Sequence, residues 1–72
     1  MKIALELSDD QAELIQQFLE ATAASDANTH GALTMEILAL MLLEDVALMV
    51  RRPGSWEGAN MSTVMASHGY RY

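Results

Sequence analysis

The sequence predicts a mainly α protein: a short N-terminal β-strand, two long helices and a short C-terminal helix, assembled as a dimer. Three observations carry that expectation. The opening "KIALEL" alternates apolar and polar side chains, the period of a half-buried strand. From Ser8 onward the apolar period changes to that of a helix. Then "EILALMLLEDVALMV", Glu36 to Val50, runs through seven consecutive apolar residues, the acidic pair Glu44–Asp45 and five more apolar residues, without one Lys or Arg. At 72 residues the chain is expected to form one domain, with a strand–helix–helix core over 1–52 and a tail carrying a short helix over 53–72. A core of that size rarely supplies more than about 3–5 kcal/mol unaided. With no cysteine neither disulfides nor thiolate metal sites can reinforce it, so self-association is the expected reinforcement.

In the strand, Ile3, Leu5 and Leu7 share one face, and Lys2, Ala4 and Glu6 the other. "SDDQ" follows as a Ser-x-x-Gln capping box, with Asp9 and Asp10 in the first turn, where carboxylates oppose the helix dipole. The first helix is expected from Asp9 to about Ala23, with Leu14, Ile15, Phe18, Leu19 and Thr22 on its apolar face. "ASDANTHG" reads as a loop. The second helix is expected from about Ala32 to Arg52, closed by Arg51 and Arg52 in its last turn and stopped by Pro53–Gly54.

More than half the circumference of that second helix is apolar, too much for one neighbouring helix to cover. One side, including Leu33, Ile37, Leu40 and Met41, is assigned to the first helix. The other, Leu38, Leu42, Val46 and Met49, is assigned to a second copy of the chain. A membrane span is disfavoured, because Glu36, Glu44 and Asp45 would each cost about 2.5–3.5 kcal/mol near a bilayer centre. The first residues also lack the basic region and apolar stretch of a secretory signal, so the cytoplasm is the expected compartment.

In the tail, Asn60 is the expected cap of a short helix whose Met61, Val64, Met65 and His68 share a face, with Gly69 in the helix-ending position. Trp56, Tyr70 and Tyr72 are three of the chain's four aromatic residues. Two readings stand. Trp56, Met61, Met65 and Tyr70 form an adaptable surface that docks a protein partner, or the tail folds back to cover the core, as a small domain needs every apolar residue it has.

The order strand, helix, helix, carried by "MKIALELSDDQAELI" and then "ALTMEILALMLLEDVALM", resembles the ribbon-helix-helix family over Met1 to about Arg52. The resemblance implies that two chains pair their N-terminal strands into an antiparallel ribbon that enters the DNA major groove, with Lys2, Ala4 and Glu6 as its contact residues. The family usually carries basic or amide side chains there, and a shorter loop between its helices. Charge bears on the point independently. Residues 1–50 hold nine Asp and Glu against one Lys, nine minus one giving a net of −8, whereas phosphate neutralisation needs several Lys or Arg. Nucleic acid is therefore an unlikely ligand by charge, and a basic protein surface a better partner. The expected function is a small, non-enzymatic homodimeric module that binds a protein partner. The alternative is a ribbon-helix-helix transcriptional regulator or antitoxin.

Neither catalytic residues, metal nor cofactor are expected. His30 and His68 are the only histidines, and no nucleophile elbow accompanies the serines. Asp26 and His30 fall short of the three or four ligands a metal requires. Glu44 and Asp45, adjacent on a helix, point about 100° apart and do not form a carboxylate pair. The four glycines match no phosphate-binding spacing.

Overall fold

The computed structural model describes residues 1–27 and 31–72. Among them are three helices, α1 (Asp9–Ala23), α2 (Met35–Arg51) and α3 (Trp56–Ser67). They fall into two compact units, Met1–Met35 and Glu36–Tyr72.

In the first unit α1 starts where the capping box places it. Ser8 adopts an extended backbone (φ −64°, ψ 155°). Its hydroxyl accepts the Gln11 N–H at 3.1 Å, and the Gln11 side chain accepts the Ser8 N–H at 3.3 Å, so two otherwise orphaned donors are satisfied. The helix closes at Ala24, whose N–H reaches the Glu20 carbonyl at 3.1 Å. Ala12, Ile15 and Thr22 are half-buried and Leu19 is 5% exposed. The covered stripe is thus narrower than the expected face, and leaves Leu14 and Phe18 in solvent. Because the Ser8 hydroxyl is the acceptor that caps the start of the helix, Ser8→Ala should destabilise this unit by about 1 kcal/mol. Thermal unfolding followed by circular dichroism checks this, and Ser8→Asp, which keeps an acceptor, should retain the stability.

The N-terminal strand is not formed. Residues 1–8 carry no regular structure, and no strand occurs among the described residues. A period-2 pattern becomes a sheet only when a second strand satisfies its backbone N–H and C=O groups, and the rest of the described chain is helix, turn and coil. Ile3, Leu5 and Leu7 are consequently exposed along with Lys2, Ala4 and Glu6, so the two faces of the alternation are not distinguished. This overturns the ribbon-helix-helix resemblance, whose defining element is that strand. Lys2, Ala4 and Glu6 have no ribbon to present them as DNA contacts.

α2 begins at Met35, the last residue of the first unit and three residues inside the expected start at Ala32, and runs through the second unit to Arg51. The chain then turns through Pro53–Gly54, as expected, and helix resumes at once. Its cap is Ser55, not Asn60, which lies inside α3. The reason is local. The Ser55 hydroxyl accepts the Gly58 N–H at 3.1 Å and donates to the Arg52 carbonyl at 2.7 Å, a carbonyl that also receives the Ser55 N–H at 2.9 Å. One side chain therefore ends α2 and starts α3. Gly58 is buried in this corner; a Cβ there would lie 2.8 Å from the Leu48 carbonyl oxygen and 2.9 Å from that of Arg52. The far end of α3 closes as its sequence signals. Gly69 takes φ +91°, where a side chain would be strained. The N–H groups of Gly69 and Tyr70 reach the carbonyls of Ala66 (3.0 Å) and Met65 (2.9 Å), the paired bonds of a Schellman ending.

Candidate interaction surface

Burial on α2 is sparse. Met49, at 6% exposed, is its only buried residue, and Met35, Leu38, Ala39, Asp45, Val46 and Leu48 are half-buried. At 100° per residue most of these group around Leu38 and Met49. Of the residues expected to meet a second copy, Met49 is therefore already buried within the single chain, Leu38 and Val46 are half-buried, and Leu42 is exposed.

The large side chains left in solvent are Ile37, Leu40, Met41, Leu42, Leu43 and Val50. Among these, Leu40, Leu43 and Val50 are 57%, 54% and 65% exposed, and with exposed Ala47 they recur at steps of three, four and three. The sequence reading missed this seam, because the apolar residues surround the helix and several spacings compete. Beside it a shallow, open hollow is lined by Glu44, Asp45, Ala47, Leu48, Val50 and Arg51.

On α3 the expected partner-binding residues separate into two kinds. Met61 and Met65 are half-buried, whereas Trp56 is 78% and Tyr70 69% exposed. Trp56 is the first residue of α3, held there by the Ser55 cap, and Tyr70 follows the Schellman ending. Both aromatic rings are thus attached to backbone that hydrogen bonds hold in place.

Ser67 and His68 are engaged at the end of α3. The Ser67 hydroxyl donates to the Val64 carbonyl at 2.6 Å. His68 Nδ1 stands 2.9 Å from the same oxygen, which can only accept, so Nδ1 carries the proton in that contact. Among the described residues no three His, Cys, Asp or Glu come together as a metal site, and no helix is long and apolar enough to cross a membrane. His30 lies outside the described residues. No known protein family, curated protein sequence or solved structure matches this chain.

Proposed function

We propose that the chain is a small non-enzymatic interaction module that works as a homodimer and binds a protein partner. The observation that carries this reading is the number of large apolar side chains exposed on α2. Leu40, Met41, Leu42, Leu43 and Val50 stand at 47–65% exposure around one helix, and exposed apolar surface of that extent belongs to interfaces. The hydroxyls of Ser8, Ser55 and Ser67 are each engaged at a helix end, and His68 is turned back on its own helix. The acidic balance, −6 in total, suits a basic protein surface, and Trp56 and Tyr70 are the side chains best placed to anchor it.

Two measurements test the reading. Light scattering at micromolar concentration should give twice the chain mass of 7.9 kDa; a monomer mass with cooperative unfolding would refute the homodimer. A partner captured by the native chain should be lost with Trp56→Ala or Tyr70→Ala while the melting temperature is nearly unchanged, because exposed substitutions usually stay within about 0.5 kcal/mol. Equal capture by both variants would remove the tail from the binding surface.

A further inference from the structure

We infer that the occupant of the exposed α2 seam is α2 of a second copy, antiparallel, with Leu43 at the two-fold axis. The inference rests on the homodimer reading and specifies its interface, moving it from the Leu38–Leu42–Val46–Met49 face to Leu40, Leu43, Ala47 and Val50. Those four residues lie on one stripe of the helix and are exposed. The stripe is continued by exposed Glu36 four residues before Leu40 and by exposed Arg51 four residues after Ala47. Its apolar middle and oppositely charged ends make it complementary to itself when reversed.

The register follows from residue numbers. Turned end over end about the point between Leu43 and Glu44, Glu36 comes opposite Arg51 of the partner subunit. Leu40 meets Ala47 of the partner subunit, a large side chain against a small one, which lets helices approach to the usual 8–10 Å. Leu43 falls beside its own copy. Self-pairing of this kind is what an isologous two-fold interface requires. The parallel arrangement would set Glu36 against Glu36 and Arg51 against Arg51, and would align the two helix dipoles. Glu44, on the flank of the stripe near its centre, comes beside its own copy in the antiparallel pair; that like-charge contact lies on the solvated rim, where screening keeps it small, and the charged ends of the stripe set the orientation.

Because the chain has no cysteine, disulfide trapping in the full-length protein reads the interface directly. Under mild oxidation Leu43→Cys should cross-link to a covalent dimer, and a mixture of Leu40→Cys with Ala47→Cys should give the mixed disulfide. Val50→Cys, far from its own copy in this register, should stay uncross-linked. Efficient trapping by Val50→Cys would establish parallel helices, and trapping by Leu38→Cys or Leu42→Cys in place of Leu43→Cys would place the interface on the other face. Either result overturns the inference. Glu36→Arg should weaken the dimer by roughly two- to thirty-fold, two rim ion pairs being lost, whereas in a parallel pair it would leave one like-charge contact replaced by another. Light scattering on the unmodified chain keeps the two readings apart. A dimer that Leu43→Cys fails to trap refutes this seam alone, and a monomer that captures another protein's helix refutes both.

Discussion

Gly58→Ala is expected to lower the melting temperature, by up to roughly 20 °C, although alanine is the better helix former. Intrinsic propensity favours the substitution by about 0.5–1 kcal/mol. Against it, the new methyl would stand 2.8 Å from the Leu48 oxygen, 2.9 Å from the Arg52 oxygen and 2.9 Å from Ser55 Oγ. Two of those atoms are backbone, and the third is held by its own bonds to Arg52 and Gly58. Relief therefore needs a shift of α3 away from the last turn of α2, and overpacking of that kind costs about 1–3 kcal/mol. Gly54→Ala is the control, since nothing lies within 4 Å of its added Cβ, and it should be neutral or slightly stabilising. Calorimetry on the pair decides the matter. Equal melting temperatures would mean that the corner between α2 and α3 is looser than its backbone contacts indicate.

A chain ending at Arg52 is the second large effect. Its removal of α3 takes away the half-buried Met61, Met65 and Ala66 and the glycine that covers the carbonyls of Leu48 and Arg52. Half-burial of two Met side chains is worth on the order of 2–3 kcal/mol in all, so the melting temperature should fall by roughly 10–20 °C. Truncation should also abolish partner binding, but a destabilised chain loses binding for a trivial reason. Trp56→Ala and Tyr70→Ala separate the two effects, because those rings are exposed and their helix ends are held by backbone and Ser55 bonds. If the truncated chain melts with the full-length protein, α3 contributes nothing to the fold of its own unit, and the tail is an arm alone.

Where sequence signals are local, they were legible. The Ser8–Gln11 box, the stop at Pro53–Gly54 and the left-handed Gly69 each involve groups a few residues apart, so spacing specifies them. Asn60 misled because it is as good a cap as Ser55 by residue type. What separates the two is that the Arg52 carbonyl lies where the Ser55 hydroxyl can donate to it while accepting from Gly58. Gly58 gave no sign of its role, since a glycine inside a helix reads as a weak position until the carbonyls above it are placed. The strand failed for a different reason: alternation records a residue pattern, while a sheet requires a second strand, and none lies among the described residues.

The candidate surface divides in the same way. From the composition of "EILALMLLEDVALMV" alone it followed that α2 has more apolar surface than one neighbour can cover, because hydrophobic burial scales with area and area can be counted in a sequence. Which stripe remains open could not be counted. Leu38, Leu42, Val46 and Met49 and the seam Leu40, Leu43, Ala47 and Val50 fit helical spacing equally well, and only tertiary packing buried Met49 and left Leu40, Leu43 and Val50 more than half exposed. The sequence by itself determined that this chain is helical, where α1 begins, where α2 and α3 end, and that its apolar residues outnumber its interior. Tertiary structure alone decided which of them are inside, because burial depends on the direction each helix presents to its neighbours, a relation between distant residues that no local spacing encodes.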